Sequence, residues 1–500
     1  MKKNLYKTTA IVTGLSIAER GLGFLYRVLL SRLIGAEGLG LYQVALSVFS
    51  VFLTVGTGGI PVTVSRLTTK YKAEGNENRE RGIAAAGISA ALLLTLPVAL
   101  IFLFFGNGFT FLFADDRALS LFRILLVGLC LSAVYAAVRG CFWGNKQLIL
   151  PSLIELIEEA VMVIVGVFLL RGVSNAFDGA TRATVAVVVS YLVSFLTAVL
   201  CFFARGGKLG NPKTEFKPLF SAAMPVTAVR AGGSLINSAI AVLLPVMLIR
   251  AGATEVEALR LFGIVSGMVI PVMFMPSTVI GSLALVLMPE LSEDFYRKRT
   301  EALSKNIERG IFTTVLVACF LIPLLAVLGN TAGLLLYSNQ TAGEMIGYCA
   351  PVLLPMSLSM ITTSVLNSLN FEKQTLRFYF IGSALSILSI VLLPRAIGIY
   401  AYPVGLALSF LFTAVANLVF LHKKSPLSGR LFRRCTLCAA LVLPVSLVGK
   451  LLSALLFRSF SALPALLITA VVMLILQFLL LICVRLITVT PLRKTFLQKT

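Results

Sequence analysis

The sequence predicts an all-α, polytopic membrane protein. Of its 500 residues 58% are hydrophobic and 13% charged, with a mean hydropathy of +0.96, whereas soluble chains run at about 45–50% apolar and about 25% charged. The apolar residues also gather in runs near the ~20-residue length that a spanning helix needs. These runs are near-continuous rather than alternating, which excludes barrel strands and leaves helices, the structure that satisfies its own backbone in lipid.

Gly, Pro and charge clusters divide the chain into fourteen runs. The first, 8–30, follows Lys2 and Lys3 as a signal peptide's apolar core would. It is long, carries internal charges and ends in no small-residue cleavage site, so it reads as an uncleaved helix. Runs 39–64, 83–105, 119–141, 150–170 and 183–204 follow. After a linker at 205–218 come 219–249, 261–288, 310–329, 345–369, 377–394 and 399–421. The last two, 435–456 and 463–486, lie beyond the basic segment LHKKSPLSGRLFRR.

Alternate loops hold 30 Lys and Arg on one side and 8 on the other, so the positive-inside rule places both termini in the cytoplasm. The net charge of +22 is thereby spent on topology and anionic headgroups, and no nucleic-acid partner is needed. Eight cysteines are scattered, mostly inside apolar runs, where a thiol packs like a small hydrophobe. The lone Cys435-x-x-Cys438 and the single His422 suggest no metal site. With no GxxxxGK[ST] loop, no HExxH and no possible His array, no enzyme and no cofactor are expected.

An internal repeat is visible. SRLIGAEG (31–38), a helix, and a basic loop ending in Glu-Arg-Gly are followed 217–228 residues later by IRAGATEV (249–256), a helix, and a second loop ending in Glu-Arg-Gly. Pro97 pairs with Pro323, GNGFTFLF (106–113) with GNTAGLLL (329–336), and WGNKQ (143–147) with NFEKQ (370–374). The expected organisation is two parallel-repeat six-helix lobes, 1–204 and 219–421, with a cytoplasmic linker at 205–218 and a basic linker at 422–434. Residues 435–500 add two helices and a tail.

On a helical wheel centred on Arg20, the residues Thr9, Thr13, Ser16, Arg27 and Ser31 fall within about 40° of it and form one polar stripe. A charge near the bilayer centre costs at least ~2.5–3.5 kcal/mol, so such residues face a bundle interior or a wet cavity, the alternative being arginines that snorkel from the helix ends or form a structural ion pair. Glu19 neutralises one arginine at most. In 224–245, Arg230, Ser234, Asn237 and Ala241 form a second stripe. Two such faces would enclose a cationic, hydrated cavity, and the planar guanidinium suits a pyrophosphate. Arg123 either joins them or snorkels outward. In PSLIELIEEAVMVIVG (151–166), Glu155 reads as a helix-end carboxylate, while Glu159, with Glu19, is a candidate cation or proton site. The glycines of GTGG (56–59) and AGGS (231–234) serve close packing or hinging, and Pro61, Pro225, Pro245, Pro271 and Pro276 are expected bends.

The six-plus-six-plus-two arrangement, RGLGFLYR (20–27), RLIGAEGLGLYQ (32–43) and MPSTVIGSLALVLMPELSE (275–293) together resemble the polysaccharide-transporter branch of the multidrug/oligosaccharidyl-lipid/polysaccharide (MOP) flippase superfamily. Within it the sequence is most similar to stage V sporulation protein B-like proteins, then to lipid II flippases. The resemblance covers most of 1–421. It implies alternating access and export of an undecaprenyl-pyrophosphate-linked sugar such as a peptidoglycan precursor. Arg20 and Arg27 match the first-helix arginines that lipid II flippases require, and Arg260 resembles the arginine opening their eighth helix. The second helix has no arginine where those flippases carry one, and Met162 stands where an arginine is expected in sporulation-type relatives. Cation-coupled multidrug efflux is the rival from the same superfamily and predicts acidic cavity residues. A scaffold for cell-wall synthesis proteins is the rival without transport, and needs no polar stripe.

Overall fold

The computed structural model describes residues 2–113 and 115–486. The tail beyond Leu486 and the side chain of Thr9 lie outside the described residues. The chain forms two compact units, 1–267 and 268–500. The first contains α1 (Lys2–Leu33), α2 (Gly35–Thr57), α3 (Ile60–Ala73), α4 (Glu77–Phe105), α5 (Asp116–Gly144), α6 (Ile149–Leu169), α7 (Ala176–Ala204), α8 (Phe216–Arg250) and α9 (Glu255–Gly263).

Polar side chains open four of these helices. Asn76, Asp115, Asn175 and Thr254 each accept a hydrogen bond from the first-turn backbone of the helix they precede. Small residues then let the backbones meet. A Cβ on Gly40 would lie 2.1 Å from the Leu259 carbonyl oxygen, and one on Gly263 2.0 Å from that of Ala36, so α2 and α9 pack backbone to backbone. Ile60, Val64, Ile83, Ala137 and Ile154 bring α3 to α6 together around one buried apolar core.

Among the described residues twelve helical stretches are long and apolar enough to cross a membrane. The expected runs 8–30 and 150–170 are present as α1 and α6, helices of 32 and 21 residues that are not among the twelve. These are the helices that carry Glu19, Arg20 and Arg27, and Glu155, Glu158 and Glu159.

Two runs expected as single helices are broken. The run 39–64 divides at Gly58-Gly59 because Pro61, lacking an N–H, cannot donate to the carbonyl of Thr57, and the chain restarts as α3. The run 261–288 divides between α10 (Ile270–Phe274) and α11 (Ser277–Tyr296), after a π-helical segment over Ile264–Val269. There Pro276 is the breaker, and Val272 accepts from Met275 instead. Pro225 and Pro245, by contrast, lie inside an unbroken α8.

The second unit continues with α12 (Thr300–Tyr337), α13 (Gln340–Cys349), α14 (Leu353–Ser368), α15 (Glu372–Leu392), α16 (Pro394–Ile397), α17 (Ala401–Lys424), α18 (Gly429–Ala440), α19 (Val442–Ser459) and α20 (Ala462–Cys483). One core gathers Ile280, Leu303, Ile361 and Leu421. A second joins Val315 and Cys319 of α12 to Cys438 and Leu481. Asn417 is fully buried and donates to the hydroxyls of Thr362 (3.1 Å) and Thr363 (2.9 Å). The only histidine, His422, accepts from the backbone N–H of Leu427 through Nδ1 at 3.1 Å and so shapes the linker.

Left-handed residues end several helices, and four recur in order: Gly35 and Gly252, Gly75 and Lys298, Lys146 and Asn370, Gly172 and Gly398, separated by 217, 223, 224 and 226 residues. One sequence pairing has no such counterpart. Gly106 opens a 3-10 segment over Gly106–Leu112, whereas Gly329 lies within α12.

Candidate functional site

The charged helices α1 and α6 pack on each other, and each uses a glycine to admit a large side chain of the other. A Cβ on Gly23 would lie 2.6 Å from Oε1 of Glu159, and one on Gly166 would lie 2.6 Å from the hydroxyl of Tyr26. Tyr26 is 2% exposed and its hydroxyl has no hydrogen-bond partner among the described residues. The packed face of α1 runs through Gly23, Tyr26 and Leu30, and the stripe centred on Arg20 lies about a quarter-turn from it, on the rim of the seam.

Along that stripe Thr13, Arg20 and Arg27 are exposed and Ser16 is half-buried. Among the described residues neither arginine makes a hydrogen bond or an ion pair. Ser31 does not share this exposure: it is 4% exposed, and its hydroxyl donates to Val28 of its own helix at 2.8 Å. The polar stripe therefore ends at Arg27, because beyond it α1 turns its face into the protein.

The seam beside the arginines is acidic. Glu155 accepts from Arg139 of α5, so its role is that of an ion-pair partner across two helices. Arg139 is itself held over Trp143 at 4.9 Å and Tyr135 at 5.5 Å. Glu19, Glu158 and Glu159 are half-buried and have no ion-pair partner among the described residues. Glu159 lies within electrostatic reach of Glu19 and Arg27, and Glu19 within reach of Glu155, Arg20 and Arg139. The first unit thus presents cations on the open edge of α1 and carboxylates one layer behind them.

The α8 stripe divides. Nη1 of Arg230 donates to the Gly58 carbonyl at 2.9 Å, the Gly59 N–H donates to Oγ1 of Thr227 at 3.0 Å, and the hydroxyls of Thr54 and Ser234 lie 2.7 Å apart. Thr227 and Arg230 on one face of α8 therefore satisfy backbone groups at the break between α2 and α3, and Ser234 on the same face ties α8 to the last turn of α2. Asn237, two turns beyond Arg230, is exposed and makes no hydrogen bond among the described residues. Arg260 is exposed on α9, next to the Leu259 that packs on Gly40, and has no ion-pair partner among the described residues.

Arg123 lies elsewhere. Nη2 donates to Oδ1 of Asn107 at 2.6 Å, and the guanidinium rests on Gly106, so it braces the 3-10 segment that follows α4. Arg139 is a site residue that the sequence analysis does not single out; it lies inside α5, near the end of the expected run 119–141.

Residues 5–295 match the polysaccharide biosynthesis protein family. The chain is 25% identical to stage V sporulation protein B of Bacillus subtilis (strain 168) over 397 residues, 76% of each chain. It is 22% identical to lipid II flippase MurJ of the same organism over 412 residues, 75% of this chain and 74% of that one. Its fold is that of a solved lipid II flippase MurJ in an inward closed conformation, with a TM-score of 0.71 at 17% identity over 94% of this chain and 99% of that one. An inward-facing multidrug resistance MATE family transporter of the MOP superfamily gives a TM-score of 0.68 at 13% identity over 83% and 98%. The chain is a multi-pass membrane protein with the fold of these MOP superfamily transporters, and it belongs to the polysaccharide biosynthesis protein family.

Proposed function

We propose that the protein exports a lipid-linked oligosaccharide, an undecaprenyl-pyrophosphate-linked sugar such as a peptidoglycan precursor, across the cytoplasmic membrane by alternating access, with both termini in the cytoplasm. The observation that carries this is the pair Arg20 and Arg27: two cations on one open face of α1, within the first long apolar run, with no partner among the described residues. Unpaired charge in a membrane is kept where a ligand neutralises it, and the guanidinium fork matches a pyrophosphate. Arg260 and Asn237 are exposed and add donors, as does half-buried Ser16. Arg230 uses one N–H on Gly58 and keeps others for substrate. Arg123 and Ser31 take no part in this scheme, since their polar groups are engaged locally. Glu19 and Glu159, close behind the arginines, would carry a coupling cation or proton. The names of the MurJ and sporulation relatives are in keeping with this substrate class.

The test is flipping of labelled lipid-linked precursor in proteoliposomes. Arg20→Ala and Arg27→Ala are each expected to slow it by about tenfold or more, the worth of a charge-assisted hydrogen bond. Unchanged rates would overturn the proposal.

The unpaired carboxylates favour one second possibility, cation-coupled efflux of cationic compounds. Under it Glu159→Gln abolishes export of a cationic dye while Arg27→Ala leaves it intact; under the flippase proposal neither variant exports the dye.

A further inference from the structure

At the end of the first unit where its basic loops gather, the C-terminal ends of α3, α5 and α7 and the start of α4 surround a cavity of about 400 Å³. That volume is in the range of small-ligand sites, about 300–1,000 Å³. Four cations line it: Lys72, Arg81, Arg205 and Lys208. Only Arg81 is neutralised, by Glu77 at 2.6 Å. Lys72 donates to Oδ1 of Asn145 at 2.6 Å, and Arg205 donates through Nη1 to Oε1 of Gln147 at 3.0 Å. These amides fix the cations without cancelling their charge. Lys208 has no partner among the described residues. The wall thus sets three uncancelled cations against one unpaired carboxylate, Glu80.

The helix ends do not oppose an anion here, because the turns that follow already occupy their last carbonyls. Phe142 accepts from Gln147 at 2.9 Å, and Phe202 accepts from Gly207 at 2.9 Å. A buried donor also waits in the wall. Thr68 lines the cavity, is 2% exposed, and its hydroxyl has no hydrogen-bond partner among the described residues.

We infer that this cavity binds the phosphate group of an anionic membrane lipid. An ammonium, a guanidinium and a hydroxyl around one space suit the several oxygens of a phosphate, and basic pockets between helices at this depth are suited to lipid headgroups. Phe142 and Phe202 add apolar surface to the wall, against which the start of an acyl chain can lie. The site uses none of the residues assigned to the transported substrate and stands independently of that assignment.

The full chain, delipidated in detergent and returned to mixed phosphatidylcholine–phosphatidylglycerol vesicles, tests it by mass spectrometry of the re-extracted protein with its retained lipid. The native protein should retain phosphatidylglycerol preferentially. Arg205→Gln combined with Lys208→Gln should lower that retention by roughly tenfold, Thr68→Val by several-fold, and Lys423→Gln combined with Lys424→Gln, outside the cavity, not at all. Lys208→Gln alone, at an exposed side chain with no partner, guards against misfolding and should still lower retention. If it and the double variant retain phosphatidylglycerol as the native protein does, the site is wrong. If inorganic phosphate alone binds and Arg205→Gln/Lys208→Gln abolishes it while phosphatidylglycerol shows no preference, the phosphate chemistry stands and the lipid source is overturned.

Discussion

Glu215, the residue before α8, is fully buried. Burial alone would raise its carboxyl, but hydrogen bonds from Nε of Arg79 (2.8 Å) and the hydroxyl of Tyr71 (2.5 Å), with the guanidinium's charge, outweigh it and hold the group below the usual carboxylate range. A depressed carboxyl stabilises the fold fully above its unfolded value, near 4.3, and that contribution fades as pH falls through the folded value. Glu215→Gln is therefore expected to lower thermal stability by a constant amount, about 1–3 kcal/mol, from neutral pH down to about pH 5. The gap to the native protein should close below about pH 4, as melting curves across pH would show. Arg79, partly exposed, favours the low end of that range. At this scale the sequence showed which cations sit on the open face of α1, because a wheel needs only spacing. It did not show which carboxylates are paired, since the Arg139–Glu155 contact joins two helices whose register no single-helix pattern contains.

At the scale of elements the informative feature is the break in α2. Proline alone explains why the helix stops, and Pro61 is visible in the sequence. What the sequence hides is that α8 completes the broken end, 168 to 180 residues further on. The fit is tight: a Cβ on Gly59 would lie 2.2 Å from the Ala223 carbonyl oxygen. Gly59→Ala should thus push α8 away and cost about 1–3 kcal/mol, measurable as a lowered midpoint of thermal unfolding in detergent. Gly21→Ala meets open space and should be neutral by the same measure. The same logic separates the prolines of α8, which interrupt no helix, from Pro61 and Pro276, which lie at helix breaks.

For the molecule as a whole, the recurring left-handed residues support the proposed duplication into two six-helix lobes better than the sequence landmarks do. The four pairs hold their order, and their spacing grows steadily from 217 to 226, as small insertions in one copy would produce. Side chains drift between copies, but a turn that needs positive φ constrains its own position. The charge asymmetry of the loops yields a test of orientation. Cysteines placed at Lys213 and Ser174, both exposed, lie in loops that the count of Lys and Arg assigns to opposite sides. An impermeant thiol reagent added to intact cells should label position 174 and spare position 213. The reverse pattern would invert the topology. The all-helical class was legible from composition, since hydropathy is a property of segments. The grouping of α8 and α9 with the first unit was not, since it depends on contacts that skip five helices.

The bond between Arg230 and Gly58 also has a temporal meaning. A ribosome makes the broken α2 long before it makes the side chains that complete it, and through that interval the exposed backbone groups at 58 and 59 would face lipid at a cost of several kcal/mol. The nascent α2 should therefore stay near a hydrated channel or a partner until α8 emerges, which makes insertion of α8 the committing event of biogenesis. Chains stalled after residue 204 should expose the 58–59 segment to protease, and chains stalled with α8 fully inserted should protect it.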